Sequence, residues 1–440
     1  MSETSAQEIK LSDPLTLPCG AILPNRLGKG AMTEGIADPH GRATKRHARL
    51  YQTWAKGGLG LSLTGNVMVD ARYLERAGNI VIEGEQSDAQ MKALQAYAKA
   101  GQSNGGHIWM QISHAGRQTQ KAITAEPVAP SAVGEVALPG GRFSAPRALT
   151  GEEIEDVIAR FIHTASIAKK AGFDGVQIHA AHGYLISEFL NPLTNQRTDE
   201  WGGSLENRAA ILLRIIKGCR DALGPDYPVS VKLNSSDFQK GGFSLEDCVS
   251  VAKLLEAAGI DLIEISGGNY EQPRMMGIEG LEPVYEDAAM VKQSTRAREA
   301  YFLNYAIAIR NAVNVPLMVT GGFRSSAAMI EALNEDGISV IGIARPLCAR
   351  PDLPNQLLDG SIDTLPSDEK TLALGPGYLG PKSSNNTIRA TNGFANMAFF
   401  YRNILRLADG KKPKTKMNLL GAFIKHQQDD AKNAKRLVRG

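Results

Sequence analysis

The sequence predicts an α/β fold, a (β/α)8 barrel of the TIM type with a C-terminal extension. Short apolar runs rich in β-branched residues recur along the chain, helical patterns alternate with them, and neither half carries a dinucleotide-binding pattern. Strict alternation of strands and helices is typical of a parallel sheet, and eight such units close into a barrel. The predicted barrel covers residues 1–360 and the extension covers residues 361–440.

Eight apolar runs are the predicted barrel strands. They are continuous rather than alternating, as expected for strands that are buried on both faces. The first is the weakest, because Gly28, Lys29 and Gly30 dilute it. In chain order the runs are RLGKGAMT (26–33), LGLSLTGNV (59–67), GHIWMQIS (106–113), FDGVQIHA (173–180), PVSVKLNSS (228–236), GIDLIEISGG (259–268), VPLMVTGG (315–322) and GISVIGIARP (337–346).

Helical patterns separate these strands. The clearest begins with a capping box, in which Thr150 and Glu153 satisfy backbone N–H groups reciprocally, and the next has Ser204 as its N-cap. Four such patterns cover residues 150–172, 204–224, 244–259 and 325–337.

Two segments exceed the minimal barrel. The loop at 114–149 is long, and long βα loops belong to the active-site face of a barrel. The tail begins irregularly and then offers helical stretches at 394–408 and 417–438. Its Lys and Arg residues indicate a solvated face, and the alternative is an arm that covers the barrel or reaches a partner subunit, so a homo-oligomer stays open.

Composition excludes several classes of function. A net charge of +3 is too small and too scattered for a nucleic-acid partner. Cys19, Cys219, Cys248 and Cys348 lie far apart, which excludes a C-x-x-C redox pair and an iron–sulfur pattern. The N-terminus is polar and no run of ~18 apolar residues occurs, so no membrane partner is expected. The expected location is the cytoplasm.

The predicted strand ends carry a candidate phosphate site. Loops after strands seven and eight bind phosphate in many barrels, and here Gly321 and Gly322 offer backbone N–H groups while Arg345 offers a fork of donors. The glycines could instead only turn the chain. Lys232 and Gln111 lie inside strand patterns and need polar partners, from the protein or from a ligand. Together these residues indicate a planar, polar, phosphorylated ligand across the barrel mouth.

The stretch HAAHGYLISEFL follows strand four and contains two histidines three residues apart. A zinc site is disfavoured, because His179 and His182 lack the H-E-x-x-H framework and no acidic residue is placed to join them and His114. Structural histidines are a second reading. The third is that His179 and His182 donate to one ligand oxygen, with Tyr184 as a nearby proton source.

Several segments resemble the Old Yellow Enzyme family of FMN-dependent NAD(P)H oxidoreductases. The longest is FDGVQIHAAHGYLISEFLNPLTNQRTDEWGGSLENR (173–208), joined in the right order by PNRLGKGAMT, MQISHAGR, VTGGF and GIARPLCARPDLP. The resemblance covers residues 10–360. Within it, RTDEWGGSLENR is interpreted as structural, pinning the long loop after strand four.

The resemblance implies FMN as cofactor, NADH or NADPH as electron donor, and reduction of the C=C bond of a small enone-type substrate. His179 and His182 would hold the substrate carbonyl oxygen, and Tyr184 would protonate the α-carbon. The implied cofactor contacts are Ala31, Met32, Thr33, Gln111, Lys232, Gly321, Gly322, Ala344 and Arg345, with the Thr33 hydroxyl near flavin O4 and Lys232 beside N1 and O2. No metal is implied.

The chain also departs from family patterns. One branch has Cys where this chain has Thr33, and Tyr where it has Gly35, so the flavin potential and pocket shape are open. Larger relatives add an iron–sulfur cluster and a nucleotide-binding domain, for which this chain has neither the cysteines nor the length. The alternatives are another FMN barrel, such as a dienoyl-thioester reductase or a desaturating dehydrogenase, and a non-flavin phosphate-binding barrel.

Overall fold

The computed structural model describes residues 8–136, 141–268 and 302–438. Eight parallel strands form a closed ring, because the fourth strand pairs with the third and the fifth, and the eighth pairs with the first. The (β/α)8 barrel is therefore confirmed, and each strand lies within its predicted run. The barrel strands are Leu27–Lys29 (β1), Leu61–Leu63 (β2), His107–Ser113 (β3), Gly175–Ala180 (β4), Val229–Asn234 (β5), Leu262–Ser266 (β6), Leu317–Thr320 (β7) and Val340–Ile343 (β8).

The glycines that weaken the first strand pattern have a packing reason. A Cβ atom on Gly28 would lie 2.9 Å from the Met318 side chain, and one on Gly30 would lie 2.6 Å from Cγ2 of Thr320. Side chains of β7 therefore fill the space beside β1. A larger residue at either position would force the barrel wall apart.

The four predicted helices are all present, and Thr150 and Glu153 form the expected capping box. The α-helices are Lys45–Lys56 (α1), Asp88–Gly101 (α2), Gly151–Lys170 (α3), Leu185–Leu190 (α4), Leu205–Leu223 (α5), Leu245–Ala257 (α6), Leu303–Arg310 (α7), Ser326–Asn334 (α8), Arg345–Ala349 (α9), Leu353–Leu358 (α10), Asn386–Ala408 (α11) and Leu419–Arg436 (α12). Short strands outside the ring are Leu15–Thr16, Ile22–Leu23, Val67–Met68, Ile80–Val81, Val128–Ala129 and Arg147–Ala148, and 3-10 turns lie at Gly116–Gln118, Asp368–Lys370 and Gly377–Leu379.

The barrel interior changes from apolar to polar along the strands. Near the N-terminal strand ends, Leu61, Trp109 and Leu262 are fully buried in one cluster with residues of the N-terminal hairpin. Two residues further along β3 and β6, the interior positions hold Gln111 and Glu264 instead. The polar layer thus lies below the C-terminal mouth, where barrels place their active sites.

The loop after β4 is held by the segment that was interpreted as structural. Nη1 of Arg197 donates to the carbonyl oxygens of Pro130 and Leu149, at 3.0 and 2.6 Å, and so joins this loop to the long loop after β3. The guanidinium of Arg208 donates to the Leu190 carbonyl at the end of α4. These bonds fix the segment that follows the two histidines.

The C-terminal helices pack on the barrel of the same chain. Arg76, in the loop after β2, forms an ion pair with Asp430 of α12 and lies over the Tyr401 ring of α11. Ala434 and Leu437 pack against a cluster that includes Tyr184. Helix α11 begins at Asn386, earlier than its predicted start at 394, because the Asn385 side chain caps it by accepting from two backbone N–H groups. Among the described ranges, no helix is both long and apolar enough to cross a membrane.

Candidate active site

The histidine pair and Tyr184 meet at the C-terminal end of β4. The His179 and His182 ring centroids are 5.1 Å apart, and the Tyr184 ring lies edge-on to His179 at 4.8 Å. The chain turns sharply between them, because His182 has φ 64° and Gly183 has φ 75°. A left-handed backbone at a histidine is strained, and such strain concentrates at functional sites. The three side chains of the sequence hypothesis are thus brought together.

Burial keeps both imidazoles neutral. Desolvation, followed by the positive charge of Lys232, lowers the pKa of His179 and of His182 well below the ordinary value. Nδ1 of His179 accepts from the Ala181 N–H at 3.2 Å, so in a neutral ring Nε2 carries the proton and is a donor. Nε2 of His182 lies 2.6 Å from the Ser266 hydroxyl oxygen. If that hydroxyl donates, Nδ1 of His182 carries the other donor proton.

A chain of buried polar side chains joins the neighbouring strands β3, β4, β5 and β6 beside these rings. Lys232 on β5 is 6% exposed, and its Nζ lies 3.0 Å from Oε1 of the fully buried Glu264 on β6. The other oxygen of Glu264 accepts from Nε2 of Gln177 at 3.0 Å, and Oε1 of Gln177 accepts from Nε2 of Gln111 at 2.7 Å. Lys232 and Gln111 therefore both have partners from the protein, which the sequence left open.

Beyond the end of β1, a second carboxylate holds Thr33, one of the residues that were expected to contact flavin. The Thr33 hydroxyl donates to Oε2 of Glu75 at 2.6 Å, and Asn66 donates to the same oxygen at 3.1 Å. Because a hydroxyl has one proton, Thr33 faces any further group as an acceptor. The expected position of the Thr33 hydroxyl near flavin O4 stays a prediction, but donation from Thr33 to that oxygen would first require its bond to Glu75 to break. Ala31 and Met32 beside it are half-buried.

The loops after β7 and β8, the predicted phosphate cradle, carry hydrogen-bond donors. Gly321 and Gly322 have φ 115° and 88°, and among the described residues their N–H groups donate to no backbone carbonyl. The half-buried Arg345 opens α9 behind Ala344, and its guanidinium has no hydrogen bond or ion pair within residues 8–136, 141–268 and 302–438. The buried Thr320 hydroxyl next to this loop is also without a hydrogen-bond partner there. Free N–H groups beside a cation are the chemistry that binds phosphate.

These features fit FMN. The cradle suits the phosphate, and the Gln111–Lys232 layer offers an amide and a cation to a polar ring edge. Ala31, Met32 and Thr33 would line the same mouth from β1. A metal centre fits less well, since the described part of the chain holds no group of three His, Cys, Asp or Glu side chains that could bind one ion.

Sequence reasoning missed four polar residues of this mouth. Glu264 and Gln177 lie inside apolar strand runs, so the same reasoning that selected Lys232 and Gln111 would have found them. Ser266 occupies the end of β6, where a small polar residue carries no distinctive signal in the sequence. Glu75 had no local signal, since its contact with Thr33 spans 42 positions in sequence.

Comparison with known proteins identifies related chains. The sequence profile of the NADH:flavin oxidoreductase / NADH oxidase family matches residues 10–363. A curated relative, the NADH-dependent flavin oxidoreductase iliE of Hypocrea jecorina (strain QM6a), is 38% identical over 367 residues, which are 80% of this chain and 89% of the relative.

Two solved structures share the fold. The Old Yellow Enzyme homologue of Zymomonas mobilis is 26% identical with a TM-score of 0.65, covering 81% of this chain and 94% of its own. A 2-naphthoyl-CoA reductase, solved with 2-naphthoyl-CoA, is 29% identical with a TM-score of 0.70, covering 81% of this chain and 53% of its own. The chain therefore spans about half the length of some relatives, 47% in one curated case.

Proposed function

The chain belongs to the NADH:flavin oxidoreductase / NADH oxidase family, as an FMN-dependent NAD(P)H oxidoreductase of Old Yellow Enzyme type, and we propose that it reduces the C=C bond of α,β-unsaturated carbonyl compounds. One observation carries the proposal: two neutral histidines and Tyr184 lie close together at the barrel mouth, with His179 in register with Lys232 of the neighbouring strand. FMN held at this mouth would supply to the substrate the hydride that NADH or NADPH provides.

We assign the cofactor site to the residues that surround this mouth. Gly321, Gly322, Ala344 and Arg345 hold the phosphate through backbone N–H groups and one guanidinium. Gln111 and Lys232 face the pyrimidine edge of the ring, and Ala31, Met32 and Thr33 line its other side. Burial of this polar layer excludes water, which strengthens each electrostatic contact.

The two histidines bind the substrate carbonyl oxygen. Negative charge develops on that oxygen as hydride reaches the β-carbon, and preorganised N–H donors stabilise it. Each such donor contributes on the order of 3 kcal/mol. Because burial already holds both rings neutral, the donors need no protonation event and operate across the neutral pH range.

Tyr184 donates the proton that completes the reduction. Its ring lies 4.8 Å from that of His179, so the hydroxyl and the carbonyl-binding imidazole belong to one pocket. It is also the N-cap residue of α4, which fixes its backbone. A positioned general acid of this kind accelerates a step about 10²- to 10⁴-fold.

A thioester substrate is the second candidate. The 2-naphthoyl-CoA reductase that shares this fold was solved with a CoA thioester, and a thioester carbonyl would use the same pair of histidines. A cavity of about 390 Å³ between the loops after β3, β4 and β5, lined by Arg117, Thr194 and Gln239, offers room beside the mouth for a longer substrate.

Three further proposals accompany the identity of the substrate. They are a cytoplasmic location, a homo-oligomer, and a barrel domain that ends at residue 360.

Separating the two half-reactions tests the acid role. In Tyr184→Phe, oxidation of the reduced enzyme by an enone slows about 10²-fold or more, while reduction of the enzyme by NADH or NADPH is nearly unchanged. The matched control is Tyr227→Phe, whose hydroxyl donates to the Phe173 carbonyl far from the mouth and whose loss leaves both half-reactions intact. If Tyr184→Phe slows both half-reactions equally, Tyr184 is not the proton donor.

A further inference from the structure

Glu264 is a buried carboxylate that neither the family resemblance nor the proposed reaction uses. It projects from β6 with no solvent exposure, and each oxygen has a different partner. Lys232 contacts one oxygen at 3.0 Å and Gln177 donates to the other at 3.0 Å. Burying a carboxylate is costly unless it is paired and hydrogen-bonded, and here both conditions are met.

This carboxylate fixes the orientation of two amides. An ionised carboxylate only accepts hydrogen bonds, so Gln177 must turn its NH₂ group towards Glu264. The oxygen of Gln177 then faces Gln111, which must turn its own NH₂ group towards Gln177, as observed at 2.7 Å. Gln111 is left with its carbonyl oxygen available to a ligand. The polarity of the whole chain of bonds is thus set at Glu264.

The same carboxylate balances the charge of Lys232. The pair presents a cation and an anion side by side on neighbouring strands, in register with each other. A ligand at the mouth therefore meets a dipole rather than an isolated ammonium group. The electrostatic difference between the ion pair and an isolated ammonium group is large in the low-dielectric interior, because screening by water is weak there.

We propose that Glu264 is a positioning residue that sets how strongly the site favours reduced FMN. Its negative charge lowers the effective positive charge of Lys232. Through Gln177 it also orients Gln111, so that the Gln111 carbonyl oxygen faces the N–H group at the pyrimidine edge of the FMN ring. This inference rests on the proposed cofactor site. The flavin reduction potential should therefore be lower than it would be if Lys232 had no carboxylate beside it.

The test is the midpoint potential of bound FMN in Glu264→Gln. The substitution keeps the shape and lets Oε1 still accept from Lys232, but it removes the negative charge and turns an NH₂ group towards Gln177, so that Gln177 and Gln111 must flip to stay bonded. The two-electron reduction equilibrium should shift at least about tenfold towards reduced FMN, which is a rise of about 30 mV. Glu264→Met removes the same charge without a polar group and shifts the potential in the same direction, so either folded variant serves. FMN content and a thermal melt are recorded alongside.

The matched control is Asp261→Asn, at the opposite end of the same strand region. Asp261 is also buried and paired, with Arg220 at 2.7 Å, but it lies at the bottom of the barrel. Loss of the Asp261 charge should lower the stability of the fold without changing the midpoint potential of bound FMN. A Glu264→Gln potential equal to that of the unaltered protein would overturn the role of Glu264 alone, whereas an unaltered protein that binds no FMN would overturn the proposed function.

Discussion

Removing the Ser266 hydroxyl should weaken the binding of a ligand oxyanion, although Ser266 acts on that ligand only through His182. The hydroxyl oxygen lies 2.6 Å from Nε2 of His182, and both groups sit at the barrel mouth. If Ser266 donates to Nε2, it places the proton of the neutral ring on Nδ1 and fixes the ring orientation. Ser266→Ala leaves His182 free to change tautomer and to rotate.

The magnitude follows from the bond that is lost. A neutral intramolecular hydrogen bond contributes about 0.5–1.5 kcal/mol, and about 1.4 kcal/mol is a tenfold change in affinity. Affinity for a phenol should therefore fall about two- to tenfold. Because the effect passes through His182, it should vanish when His182→Ala is already present, as double-mutant cycles reveal.

The assay is a titration of the FMN-loaded protein with 4-hydroxybenzaldehyde, followed by the long-wavelength absorbance band of a phenolate stacked on flavin. The matched control is Ser113→Ala, because the Ser113 hydroxyl is buried at the end of β3 and has no hydrogen-bond partner among the described residues. Two results would refute the reasoning. The first is that the Ser266→Ala protein binds the phenol as tightly as the Ser113→Ala protein. The second is that Ser266→Ala lowers the affinity equally in the presence and in the absence of His182.

Three further predictions concern the cofactor and stability. Arg345→Met should weaken FMN about 10- to 100-fold but leave riboflavin, which lacks the phosphate, unaffected; equal losses in equilibrium dialysis would exclude a phosphate contact. Burial lowers the pKa of His47 and His114 from 6.5 to about 4, so the stability gained from neutral rings is present above about pH 6.5 and is lost as the pH falls towards 4. Urea titrations should show up to about 3 kcal/mol lost per histidine, and a flat profile would contradict this. Tyr51→Phe removes a 2.5 Å bond to the buried Glu34 carboxylate and should lower the free energy of unfolding by about 1.5–3 kcal/mol, whereas an unchanged urea midpoint would show that other donors replace it.

The strands and their order were predictable because each is a continuous apolar run, and burial on both faces leaves that mark in the sequence. The histidine pair was predictable for a different reason, since strand ends in a barrel converge on one mouth whatever lies between them. The start of α11 was missed because its first turns are polar, and only the Asn385 cap marks it. Its start was therefore set by capping rather than by apolar spacing.

Cross-strand partners could not be predicted. Lys232 lies beside Glu264 and Gln177 lies beside Gln111 only because of the register of neighbouring strands. That register depends on how the barrel closes, which no single strand encodes. Sequence reasoning thus identified Lys232 and Gln111 as residues that need polar partners, but it could not say whether the protein or a ligand supplies them.

The most direct test of the central claim is anaerobic oxidation of the FMN-loaded, NADH- or NADPH-reduced protein by 2-cyclohexenone and by a dienoyl-CoA thioester, with analysis of the products. The arrangement of His179, His182 and Tyr184 predicts that at least one acceptor reoxidises the protein and is recovered with its C=C bond saturated, and that His179→Ala with His182→Ala slows this step while FMN stays bound. A protein that takes up no FMN, or whose reduced form is reoxidised equally fast with and without the histidines, would contradict the account.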